Sequence, residues 1–151
     1  MRFWDASALT PIVVTEPSSA VLEAALAADD AVVAWWGSRI ECVSALRRRE
    51  REGILTGTGV RQAFAVLDVL SGDWAEVAPA PRVRAEAERA LAVHALRAAD
   101  ALQLAAALVW RDDADLPHEF VCLDERLRDA AFREGFVVLP DDDVYAGIAP
   151  R

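Results

Sequence analysis

Five short apolar runs, each too brief to make a helix, are spaced so that a helix fits between successive pairs. They are Arg2 to Trp4, Ala31 to Trp35, Trp74 to Val77, Phe120 to Leu123 and Phe136 to Leu139. Their β-branched and aromatic content reads as strand. The segments between them carry apolar residues at helical spacing, as in Val21, Leu22, Ala25 and Leu26, with Pro17 suited to the helix's first turn. Further helices are expected through Val43 and Leu46 up to Gly53, over about Val60 to Leu70, Val83 to His94 and Asp100 to Trp110, and through Leu127 to Phe132. Gly57 and Gly59 read as a turn, and Arg111 to Pro117 as a polar loop. Strands alternating with helices require crossover connections, which make a parallel sheet covered on both faces. The expected class is α/β, with three layers around a mostly parallel, twisted sheet of four to five strands.

The chain's 151 residues are enough for one domain, and no linker divides them. The domain is expected over residues 1–140, followed by an acidic tail, 141–151, whose Asp141, Asp142 and Asp143 read as solvated. Two cysteines, Cys42 and Cys122, cannot form a disulfide framework, so a reducing compartment is expected. Charge-free runs such as Ala101 to Trp110 fall short of the ~20 apolar residues of a membrane helix. Asp5 interrupts any signal-peptide core. These features predict a cytoplasmic protein with no membrane partner.

The formal net charge is −9, yet field is local and net charge is a sum, so a polyanionic partner is not excluded. All 16 cationic side chains are arginine. The absence of lysine rules out a phosphate-binding loop of the G-x-x-x-x-G-K-[ST] kind and any lysine Schiff base. It also argues against a phospho-acceptor receiver domain. A haloacid-dehalogenase-like phosphatase would want a second Asp two residues after the first, where Ser7 stands.

The informative feature is where isolated acids interrupt apolar segments. Asp5 ends the first strand and Asp124 ends "FVCL". In a doubly wound sheet, ligands bind beyond the carboxyl ends of the strands, which is where both acids belong. Each also reads as a helix N-cap. Glu41 shares a helical stripe with Ala45 and Arg48, away from Val43 and Leu46. A first-turn glutamate also complements the helix dipole. Asp100 sits in "LRAADALQLAAAL", where a carboxylate is costly unless it is paired, with Arg97 for instance, or bound to metal. Two unit charges ~4 Å apart cost about 4 kcal/mol at an effective dielectric near 20, so four such acids at one edge need protons or a cation. Oxygen donors favour Mg²⁺ or Mn²⁺ over zinc, and His94 and His118 read as surface residues.

"FWDASAL" around Asp5, "IECVSAL" around Glu41, "LRAADALQLAAA" around Asp100 and "CLDERLRDAA" around Asp124 resemble the four motifs of the PIN domain. More closely, they resemble those of the VapC-type ribonuclease toxins of bacterial toxin–antitoxin pairs. The resemblance covers nearly the whole chain, in order. It implies a PIN-like fold and an RNA endonuclease in which Asp5, Glu41, Asp100 and Asp124 hold Mg²⁺ or Mn²⁺ and carry catalysis. It implies Ser7 as a hydrogen-bonding supporter, and a cognate antitoxin and a homodimer as partners. Cys122 stands where the family often has Thr or Ser, and its own context reads as a buried strand thiol.

RNA contact is expected from Arg47, Arg48 and Arg51, which with Arg49 form the densest cationic cluster. A solvated helix laced by Arg48–Glu52 pairs reads equally well. Of Trp35 and Trp36, adjacent in a strand, one should be exposed or in a subunit interface. A catalytically silent PIN-like RNA-binding or interaction domain is the alternative function, disfavoured because all four acids are present.

Overall fold

The computed structural model describes residues 1–29, 31–112 and 118–149. Its strands β1 (Arg2–Trp4), β2 (Val32–Trp35), β3 (Ala75–Val77), β4 (Glu119–Val121) and β5 (Val137–Leu139) form one sheet. All pairings are parallel and the order is β3-β2-β1-β4-β5. Around it lie α1 (Ala6–Val13), α2 (Ser19–Ala28), α3 (Ser38–Arg51), α4 (Gly57–Asp73), α5 (Pro81–Val93), α6 (Ala98–Asp112), α7 (Glu125–Arg133) and α8 (Asp142–Ile148). The three-layer α/β architecture expected from the sequence, a parallel sheet with helices on both faces, is therefore present.

Alternation along the strands sorts the core into two. Phe3, Val33 and Phe120 point to one face, where they meet α5, α6 and α7 through Ala90, Leu104, Ala105 and Leu127. Trp4, Val32, Ala34 and Val121 point to the other, against α1, α3 and α4 through Leu9, Cys42, Leu46 and Leu67. Burial on both sides is why the strands read as continuous apolar runs. Trp35 is buried at the end of β2, and Trp36 is exposed in the turn that follows it.

Three departures from the sequence reading have local causes. Thr10, Pro11 and Val13 hide α1, because all are poor helix formers. Burial of Ala8, Leu9 and Val13 overrides that preference, and the Thr10 hydroxyl donates to the Ala6 carbonyl at 2.8 Å. Gly57 and Gly59 lie inside the first turn of α4, where the Thr56 side chain accepts from the Gly59 amide at 3.2 Å. Beyond Pro140 the chain forms α8, capped by Asp141, while Asp141, Asp142 and Asp143 remain exposed.

Arg111 and Asp112 continue α6, and the rest of the expected polar loop, 113–117, lies outside the described residues. His94, expected at the surface, has a side chain only 6% exposed, because its Nε2 bonds the Glu134 carboxylate at 2.7 Å. Among the described residues no helix is long and apolar enough to cross a membrane.

Candidate acidic site at the carboxyl edge of the sheet

From β1 the chain crosses to β2 on one side, and β4 later joins on the other. The connections diverge accordingly: α1 packs on one face and α7 on the opposite face. A crevice opens where they part, at the topological switch point. Asp5 follows β1 and Asp124 follows the end of β4, so they form its two lips.

Asp5 is 4% exposed, and its Oδ2 accepts from the Ser7 amide at 2.8 Å, capping α1. Asp124 is exposed, and its Oδ1 accepts from the Leu127 amide at 2.9 Å, capping α7. Both are helix caps as well as edge acids. The roles are compatible, since a carboxylate has about four lone-pair positions. Ser7 ties the lips together, its hydroxyl accepting from the Leu123 amide at 2.9 Å. Cys122, wholly buried, lies beneath, with Sγ 3.7 Å from Asp5 Oδ2, 3.6 Å from Ser7 Oγ and 3.3 Å from the Asp124 amide nitrogen.

Glu41 reaches the edge from the first turn of α3, and Asp100 from the first turn of α6. Gln103, one turn after Asp100 and wholly buried, donates to Glu41 Oε1 at 3.0 Å. Gln103 and the buried Ser38 hydroxyl bond each other through 3.0 and 3.1 Å contacts. The sequence reading missed this pair. The available signal was Gln103 itself, the lone polar residue of "ALQLAAAL" after Asp100.

Three of these acids are raised by burial and by a neighbouring acid's charge. Burial raises the Asp5 carboxyl, and the charge of Asp100 adds to the effect against the hydrogen bonds from Ser7 and Ala6. Glu41 is pushed up to about 7, first by burial, then by Asp5 and, more weakly, Asp100, while Gln103 opposes. Asp100 is raised by burial and by Asp124, against Arg97 and Arg126. None of the four takes part in an ion pair among the described residues. They share an edge without forming a tight cage: among the described residues no three His, Cys, Asp or Glu side chains are grouped closely enough to hold a metal ion.

The clustered arginines separate. Arg47 pairs with Glu50 at 2.8 Å and lies over the Phe64 ring, 4.7 Å from its centroid. Arg49 pairs with Glu16. Arg51 is exposed and is not among the residues lining the crevice. Arg48 lines a cavity of about 810 Å³ that also borders Glu41, Ser7 and Asp124. Gly147, Ile148 and Ala149, at the end of α8, close one side of it.

No family model and no curated protein matches this chain.

Proposed function

We propose that the protein is a Mg²⁺- or Mn²⁺-dependent RNA endonuclease of the PIN-domain kind, the toxin of a toxin–antitoxin pair. The observation that carries this reading is a set of four acids at the switch-point crevice, three with raised pKa values and none in an ion pair. A chain with 16 arginines could neutralise them with its own side chains. Leaving Asp5, Glu41 and Asp100 unpaired where burial raises them is costly, and a cation from outside would relieve the cost. The donor set fits a hard divalent ion, because it is all carboxylate oxygen.

Asp5, Glu41, Asp100 and Asp124 would hold that ion. Bound there, it would supply an activated water and charge neutralisation at a phosphodiester. The protein's own part is positional. Ser7 fixes Asp5 from its amide and links it to the end of β4. Gln103, held by Ser38, aims the Glu41 carboxylate. An antitoxin could meet the same field with a basic segment placed over the acids.

A silent RNA-binding domain is the second reading, favoured by the absence of a closed acid cage among the described residues. One assay separates the two. Purified protein is incubated with single-stranded RNA in EDTA, then with Mn²⁺ restored. Cleavage that needs Mn²⁺ and disappears in Asp5→Asn supports the nuclease. RNA bound but never cut supports the silent domain, and cutting indifferent to EDTA overturns both.

A further inference from the structure

The cavity beside the acids extends well past them. Along α3, Glu41, Ser44, Ala45 and Arg48 all border it, the i, i+3, i+4, i+7 stripe of a single helix face. Seven residues at ~1.5 Å rise place Arg48 about 10 Å from Glu41 along the helix axis. Between them stand only a hydroxyl and a methyl group. Among the other lining residues, Leu123 and Ile148 of α8 contribute apolar surface. At about 810 Å³ the space is on the scale of small-ligand clefts, far more than a metal and its waters need.

Charge is distributed unevenly along this cavity. Its acidic end, at Glu41 and Asp124, repels phosphate unless a cation is bound. Its far end carries Arg48, which is exposed and has no ion-pair partner among the described residues. Arg49 also lines the cavity but is already neutralised by Glu16. Arg47 is committed to Glu50 and Phe64. The cationic cluster therefore offers the cavity one uncommitted guanidinium, which suits the paired oxygens of a phosphate.

We propose that this cavity is a subsite for a nucleotide flanking the bond that is cut, with Arg48 holding its phosphate, Ser44 within the same stripe, and Leu123 and Ile148 facing the base. The subsite deepens the ribonuclease reading and rests on it. Phosphate held at a fixed remove from the acids sets the register of the strand without carrying sequence information. The apolar side chains of Leu123 and Ile148 accept the face of a base whatever its identity.

The test uses the full chain with Asp100→Asn, so that RNA is bound but not consumed. Binding of a fluorescein-labelled single-stranded RNA of mixed sequence is followed by anisotropy over a range of NaCl concentrations. One lost phosphate contact lowers the slope of log K against log salt by about 0.7. That decrease is expected in Arg48→Ala, with recovery in Arg48→Lys and no change in Arg133→Ala, an exposed arginine in the last turn of α7. With Asp100 restored, Arg48→Ala should raise KM for cleavage by about 10-fold or more, the loss of one charge-assisted hydrogen bond, and leave kcat unchanged. The KM effect should vanish on substrates too short to reach the subsite, which a merely structural defect would not produce. Equal loss in Arg133→Ala and Arg48→Ala overturns the subsite and leaves the nuclease standing. An unchanged slope and KM in Arg48→Ala does the same. RNA neither bound nor cut by any of these proteins overturns both readings.

Discussion

The two ends of the sheet treat acidic side chains in opposite ways. At the amino end, Arg2 and Glu119 open the neighbouring strands β1 and β4 and bond each other at 2.7 Å. Arg2 also donates to the Ala25 carbonyl at 2.6 Å. Helix α7 runs from one end to the other, and its termini repeat the contrast. Glu134, at its C-cap, accepts from Arg89 at 3.0 Å and bonds His94, which hold its carboxyl below the usual range. Among the described residues the Asp124 carboxylate, at its N-cap, is hydrogen-bonded by its own helix's amide alone. At one end arginine pairs with the acids, whereas at the other the four crevice acids have no ion-pair partner among the described residues. Charge at the amino end serves the fold, whereas charge at the carboxyl end works against it.

Exchanging the charge of one residue at each end gives the largest expected contrast. Asp5→Asn should lower Mn²⁺-dependent RNA cleavage by more than the 10–100-fold typical of losing a supporting hydrogen bond, because it removes a proposed ligand outright. Its fold should remain, and its melting temperature in EDTA should rise, since Asn keeps the cap and removes a buried charge. Arg2→Ala should do the reverse, costing about 1–3 kcal/mol by leaving Glu119 and the Ala25 carbonyl without their donor while cleavage persists. Circular dichroism melts and a cleavage assay on both variants check this. If both lose stability alike, the two ends do not differ.

A smaller effect is expected one layer out. Gln103→Leu leaves the volume of the buried site nearly unchanged but deprives Glu41 of its donor at 3.0 Å. Mn²⁺ affinity, measured by titration calorimetry, should fall about 10–100-fold, as for other residues that orient ligands. Unchanged affinity would mean that Glu41 needs no orientation.

The pH dependence of stability sharpens the contrast. Glu41 has a folded pKa of about 7 against an ordinary 4.5, so between those values the folded protein keeps a proton that the unfolded chain has released. The fold therefore binds more protons, and stability must fall as pH rises through that window. Part of the side chain is open to solvent, so on the order of 1–2 kcal/mol is expected rather than the full shift. Glu134 has the opposite sign: its lowered pKa adds stability above the ordinary carboxylate range, which is lost as pH falls below it. Urea melts in EDTA at a series of pH values should show the decline toward pH 7, and Glu41→Gln should flatten it.

The sequence reading located the carboxyl end better than the amino end, and the reason is physical. An acid that interrupts an apolar run stands out, so Asp5, Asp100 and Asp124 were visible without any structure. The parallel sheet followed from periodicity and brought those acids to one edge. Pairs such as Arg2–Glu119 and His94–Glu134 were not legible, because their partners lie 117 and 40 residues apart and each looks like an ordinary surface charge. Helix α1 was obscured by Thr10 and Pro11, whose preferences burial overrides. The arginine cluster was legible as a cluster but not residue by residue. Which face each side chain takes depends on Glu50, Phe64 and Glu16 lying nearby.

Cys122 should give the smallest effect and bears on how the carboxyl end tolerates its unpaired acids. Burial, reinforced by the charges of Asp5 and Asp124, pushes its thiol well above the ordinary value, so it remains an S–H. As a thiol it can donate weakly to Asp5, where an oxygen donor would bond more strongly. Cys122→Ser replaces that donor with a hydroxyl in the same place. The stronger bond to Asp5 opposes the cost of a more polar group in a wholly buried position, so stability should change by less than about 1 kcal/mol. Cleavage should stay within a few-fold of the parent. Cys122→Val, which removes the donor but keeps the burial, should lower cleavage more than Cys122→Ser does. Equal activity in Ser and Val variants would mean that Cys122 only fills space under the strand, and that Ser7 alone fixes Asp5. Because both cysteines are buried, neither should react with a thiol reagent until the protein unfolds.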